Sequence, residues 1–141
     1  MVGTGQYPRN MEVLLVEDRG VMRALLRDFL QSSIPGLVII EAANGARALK
    51  IARERRPQVV LMDINLPDAN GIELTAQIKA MLPDARIIIV TGLNGSAYVE
   101  RALAAGAFAY VTKDKIYAEL LPLMMSALNA APARNPDGGA V

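Results

Sequence analysis

The chain separates into five short apolar runs, EVLLVE (12–17), LVIIEA (37–42), VVLMDI (59–64), RIIIVTG (86–92) and AFAYVT (107–112), each followed by a segment of helical period. The third and fourth runs are too uniformly apolar for strands with one wet face. Their β-branched residues and flanking turn signals favour strand over buried helix. Strands alternating with helices predict β-α-β units, in which crossover helices cover both faces of a parallel sheet. The expectation is therefore an α/β, three-layer, doubly wound (βα)5 domain.

A first helix is expected over about 20–32, with Val21, Leu25, Leu26 and Phe29 on its buried face, Arg23 and Arg27 outside, and SSIPG at its end. The second starts behind Asn44 as a cap and gathers Arg53, Arg55 and Arg56 in its last turn, where they complement the helix dipole before Pro57 stops it. A third covers about 71–81, ended by Pro83, and a fourth about 96–105, with Gly106 as its C-terminal cap. The last, about 116–129, contains Pro122. Proline deletes one backbone donor and crowds the preceding turn, so a kink or a late, tightened start is expected. Segments 1–10 and 131–141 read as flexible tails around a folded unit over 11–130.

Composition narrows the chemistry. A chain of 141 residues holds one ordinary domain, and an apolar content of 52% is ample for its core. The 15 basic and 14 acidic residues nearly cancel, which gives no nucleic-acid or membrane footprint, and nothing after Asn129 forms a DNA-reading motif. Cysteine and histidine are absent, which excludes disulfides, thiolate nucleophiles, Cys/His zinc sites and imidazole bases. The start, MVGTGQYPRN, lacks the basic and apolar parts of a signal peptide, and no apolar run reaches the roughly 18–20 residues of a membrane span. A soluble cytoplasmic protein is expected.

In an open parallel sheet, ligands bind beyond the carboxyl ends of the strands. The first strand ends in Glu17 and Asp18, the third in Asp63, the fourth in Thr91 and the fifth in Lys113. Each has an ordinary structural explanation: Asp18 as a helix cap, Asp63 as a turn residue, Thr91 as a strand residue, Lys113 as a surface charge, Tyr110 as a packed aromatic. Together they suggest more. Carboxylates about 4 Å apart repel by roughly 4 kcal/mol at an effective dielectric of 20, a repulsion that a hard divalent cation would offset. Mg2+ suits an oxygen-only set of this kind. Asp63 then has an oxygen available as a nucleophile toward phosphorus, Lys113 can pair with a phosphoryl oxygen and Thr91 can hydrogen-bond another.

The sequence here resembles the receiver domains of two-component response regulators, over about Met11 to Asn129. The resemblance rests on the acidic pair in LLVEDRG, on LMDINLPDANG with Pro67 and Gly71, on Thr91 in IIVTG, and on GAFAYVTKD with Tyr110 and Lys113. It implies a flavodoxin-like fold with strand order 2-1-3-4-5. It further implies Mg2+ on Glu17, Asp18, Asp63 and the backbone carbonyl of Asn65, with Asp63 as the phosphoacceptor, Thr91 and Lys113 on the phosphoryl oxygens, and Tyr110 with Thr91 as the switch. The implied partners are a sensor histidine kinase or phosphotransfer protein and a downstream protein on the face of the fourth helix, fifth strand and fifth helix, with a homodimer also within the family's range. The chain would act alone, in a phosphorelay, or as part of a longer DNA-binding regulator. Glu17 stands where aspartate is common, and Arg19 follows the acidic pair, where its charge would in part replace the cation or touch the phosphoryl group.

Two other readings compete. Small Mg2+-dependent phosphatases of the haloacid dehalogenase type carry a second acid two residues beyond the nucleophile. Here that residue is Asn65, and an amide cannot act as general acid or base. A phosphorylation-independent interaction module would not need the full set of strand-end residues. The expectation is a signalling phosphoacceptor, with only self-phosphorylation and self-dephosphorylation as its chemistry and not an enzyme in the ordinary sense.

Overall fold

The computed structural model describes residues 11–130; the tails expected at 1–10 and 131–141 lie outside the described residues. Five parallel strands, β1 (Glu12–Val16), β2 (Val38–Ala42), β3 (Val59–Met62), β4 (Arg86–Thr91) and β5 (Ala109–Thr112), form one sheet in the order β2-β1-β3-β4-β5. The helices between and after them are α1 (Gly20–Ser33), α2 (Gly45–Arg55), α3 (Gly71–Met81), α4 (Ser96–Ala104) and α5 (Leu121–Ala130). This is the doubly wound, flavodoxin-like α/β fold that the alternating pattern and the resemblance together predict.

The unbroken apolar runs follow from burial on both faces. Val13, Leu15, Val59, Leu61, Ile88 and Val90 point to one side, where Leu26 and Leu30 of α1 and Met124 of α5 cover them. Leu14, Val16, Val60, Met62, Ile87 and Ile89 point to the other, against Ile51 of α2, Leu74 and Ile78 of α3 and Ala102 of α4. Successive strand side chains alternate faces, so a strand covered on both sides must be apolar at every position. Each such side chain contributes roughly 1.5–3 kcal/mol on burial.

The helix boundaries agree closely with the sequence, with four differences. Val21, expected in the core, is 86% exposed. The buried stripe of α1 runs through Leu26 and Leu30, and Val21, five residues before Leu26, is about 140° round the helix from it. Arg23 is half-buried and not a solvated outer residue, since it makes the contacts described below. Arg56 lies just beyond α2 in the left-handed region (φ 48), so only Arg53 and Arg55 occupy the last turn. The entry to α5 is also not simply tightened. A 3-10 turn at Lys113–Lys115 leads into a wider π-helical turn at Ile116–Leu120, and Pro122 becomes the second residue of the α-helix that follows. The helical path is continuous from Ile116, and the wider π-helical turn just before the proline is where its ring and missing donor are accommodated. Among the described residues, no helix is long and apolar enough to cross a membrane.

Candidate functional site

The sheet ladder carries the polar residues to one edge. Asp63 donates its backbone N–H to the Val16 carbonyl (3.1 Å) and Glu17 donates its own to Ala42 (3.0 Å), so the chain just past β1 and β3 stays in register. Thr91 ends β4 opposite Thr112, and Lys113 follows immediately. Carboxylate oxygens of Glu17, Asp18 and Asp63 all lie within 4.8 Å of one another. Glu17 and Asp63 are buried, while Asp18 is exposed to solvent.

Lys113 reaches into this group from the turn just beyond β5. Its Nζ donates to Asp63 Oδ2 at 3.0 Å and lies 2.7 Å from Glu17 Oε1. The second approach is an ion pair by distance but not an aligned hydrogen bond, and Glu17 Oε1 remains a buried oxygen without a hydrogen-bond donor. Burial pushes the Glu17 carboxyl above its ordinary value; the Lys113 ammonium and the Arg19 N–H, which donates to Oε2 at 3.0 Å, oppose the shift without cancelling it. Burial by itself would lower Lys113, yet its close ion pairs with Glu17 and Asp63 hold it above the usual lysine range. The set therefore has all-oxygen donors, one of them a buried oxygen met only by an ion pair, and negative charge exceeding its single internal cation. Those properties fit a hard divalent ion.

Several expectations need correction at this level. Neither oxygen of Asp63 is idle: Oδ1 accepts the Ile64 N–H at 2.7 Å while Oδ2 meets Lys113. Asp18 does not cap α1; Arg19 occupies the cap position, and no side chain caps that helix. The contact of Arg19 with the acidic group is made by its main chain. Arg23, one turn into α1, donates Nη1 to the Glu17 carbonyl at 2.8 Å and Nε to Glu41 at 2.9 Å, fixing the acidic segment against β2. The sequence offers no signal for this, because Arg23 sits at an ordinary outer-face spacing.

The segment after Asp63 closes on itself. Asn65 and Asn70 form an antiparallel pair flanked by Gly71 N–H to Ile64 O (2.8 Å) and Leu66 N–H to Ala69 O (3.3 Å). Because the flanking residues supply those bonds, the Asn65 carbonyl is not consumed by the pairing. Asn70 caps α3 by accepting the Ile72 and Glu73 N–H groups. Across the site, Thr91 is fully buried, and its Oγ1 accepts the Leu93 N–H at 3.4 Å. Tyr110 is half-exposed and donates its hydroxyl to the Leu93 carbonyl at 2.7 Å. Thr91 and Tyr110 thus meet through one residue.

Comparison with known proteins gives a consistent picture. A family model described as "Response regulator receiver domain" matches residues 13–124. A putative transcriptional regulator of Pseudomonas aeruginosa is 34% identical over 128 residues, spanning 90% of this chain and 60% of that protein. The chain spans about half the length of the curated transcriptional regulators it matches. Among solved structures, a two-component response regulator of the LuxR family from Aurantimonas superposes with a TM-score of 0.80 at 36% identity, covering 91% of each chain. A chain of the CheX-CheY-BeF3-Mg2+ complex from Borrelia burgdorferi superposes with a TM-score of 0.77 at 27% identity, covering 84% of this chain and 89% of that one.

Proposed function

The chain belongs to the family of response regulator receiver domains, and from that premise we propose that Asp63 is its phosphoacceptor, loaded from the phosphohistidine of a kinase or phosphotransfer protein. The observation that carries the reading is the position of Asp63: at the end of the central strand β3, inside a cluster with Glu17 and Asp18, with Lys113 at 3.0 Å. In the reaction an Asp63 carboxylate oxygen forms a bond to phosphorus as the phosphorus–nitrogen bond breaks. The electron pair leaves with the imidazole nitrogen, and an acyl phosphate remains.

Glu17, Asp18, Asp63 and the Asn65 carbonyl are the residues that would hold Mg2+, which when bound neutralises charge on the phosphoryl oxygens. The chain's own contribution is positioning. Lys113 meets the incoming group with a fixed positive charge, and the Thr91 hydroxyl donates to a phosphoryl oxygen. Phosphorylation adds up to about two negative charges at Asp63. When Thr91 turns toward them it leaves the Leu93 N–H, and the Tyr110–Leu93 bond is disturbed with it. That change passes to the face of α4, β5 and α5, where a downstream partner or a second copy would bind. The phosphatase alternative has no support in the family assignment, and Asn65 still lacks the required acid.

The test is mass measurement after incubation with Mg2+ and a small phosphodonor such as acetyl phosphate. The wild type should gain one phosphoryl group and Asp63→Ala none. Equal labelling of the two would remove Asp63 from this role.

A further inference from the structure

We propose that Asp68 is a positioning residue for this site: its carboxylate ties the ribbon that follows Asp63 to the start of α2, and so holds the Asn65 carbonyl in register with the three carboxylates. The inference rests on the phosphoacceptor reading and extends it to a residue outside the acidic cluster.

Asp68 lies in the middle of the β3–α3 connection. One oxygen accepts the Gly45 N–H at 2.7 Å and the other accepts the Ala46 N–H at 3.0 Å, across 23 and 22 residues of chain. The first amides of a helix have no partners within it and sit at the positive end of its dipole, so they suit a carboxylate. The start of α2 divides them: its own cap, Asn44, takes the Arg47 N–H at 2.8 Å, and the neighbouring loop takes the two before it. Accepting these two bonds holds the Asp68 carboxyl below its ordinary range.

A second observation shows the same docking. A Cβ at Gly45 would stand 2.8 Å from the Ala69 Cβ and 3.0 Å from the Leu74 Cδ1. The ribbon therefore packs onto α2 so closely that only glycine fits there.

The consequence follows from how the ribbon is closed. The bonds Gly71 to Ile64 and Leu66 to Ala69 make residues 64–71 a unit that moves as one piece. Its base is fixed by β3 and α3, and its far end is fixed by Asp68. Without that tether the ribbon hinges at its base and carries the Asn65 carbonyl with it. A ligand oxygen supplied by a loop serves a metal only as well as the loop is held.

The experiment titrates Mg2+ into the full chain by calorimetry and follows phosphodonor labelling. Asp68→Ala should weaken Mg2+ binding by about tenfold, the low end for loss of a supporting partner. Asp68→Asn, which keeps one acceptor oxygen, should fall between the two. Asn44→Ala removes the hydrogen bond from the Arg47 N–H at the same helix start without touching the ribbon and should bind Mg2+ as the wild type does. Saturating Mg2+ should restore labelling of Asp68→Ala. In the metal-free protein, amide exchange at Leu66 and Gly71 should accelerate in Asp68→Ala but not in Asn44→Ala.

Unchanged Mg2+ affinity in Asp68→Ala, or an equal loss in Asn44→Ala, would overturn the proposal while leaving the phosphoacceptor reading intact. A wild type that neither binds Mg2+ nor takes up a phosphoryl group would overturn both.

Discussion

Gly71→Ala should damage this protein out of proportion to the one carbon it adds. Gly71 is not among the glycines with positive φ, so backbone conformation does not demand it. Space does: a Cβ there would lie 2.0 Å from the Asp63 carbonyl oxygen, 2.8 Å from its carbon and 2.9 Å from the Ile64 Cα. An ordinary carbon–oxygen contact is roughly 3.3 Å, so the two backbones must separate by about 1 Å. Overpacking typically costs about 1–3 kcal/mol, and here main chain meets main chain with no flexible side chain to yield. Weakening the Gly71–Ile64 hydrogen bond adds about 1 kcal/mol, and the better helix propensity of alanine returns up to about 1. The net loss is about 3 kcal/mol, a large part of the roughly 5–15 kcal/mol that holds a domain folded. For a domain of this size that lowers Tm by about 12 °C. Thermal unfolding followed by circular dichroism measures it. Gly20→Ala is the control, since nothing lies within 4 Å of a Cβ there, and it should be neutral or up to about 1 kcal/mol more stable. Because the displaced atoms belong to Asp63, labelling of Gly71→Ala should also fall at temperatures where the variant is folded. A Tm within about 2 °C of wild type would refute the close approach and the reasoning built on it.

Two further outcomes follow. Pro122→Ala should change stability by less than about 1 kcal/mol in denaturant unfolding, because the π-helical turn before α5 already accommodates the proline. A gain near 3 kcal/mol, the relief expected for an interior helix proline, would show that it strains the helix. In an acid titration followed by NMR, the Gly45 and Ala46 amide signals should move together at a pH below 3.8, the ordinary value for Asp68. A carboxyl held lower in the folded state stabilises it fully above the unfolded value, and that stabilisation disappears as pH falls through the folded one. A common midpoint at or above 3.8 would contradict the bidentate contact.

Much of the site was legible because it obeys a rule of position. Residues at strand ends in a parallel sheet must appear together at the carboxyl edge, whatever the sheet order, so Glu17, Asp18, Asp63, Thr91 and Lys113 could be grouped from the linear pattern alone. Harder to read were contacts between residues whose local spacing is ordinary. Arg23 has the spacing of an outer-face residue of α1, yet it holds the Glu17 carbonyl. Asp68 looks like a turn residue in LPDANG, yet its partners lie on α2. The glycine at position 71 is marked in the sequence, but the reason for it, contact with the Asp63 backbone and not a left-handed turn, is visible only in three dimensions.

By itself, the sequence determined the number and order of strands and helices and the edge at which chemistry gathers. Burial on both faces demands uninterrupted apolar runs, and caps and prolines act within a few residues of the boundaries they set. Tertiary structure decided the rest: Lys113 bridging toward Glu17 and Asp63 across 50 residues in the latter case, the tether from Asp68 to α2, and the absorption of Pro122 by a π-helical turn. Each depends on which segments become neighbours. That is settled by the packing of two helical layers on a sheet, and no spacing along one strand or helix encodes it.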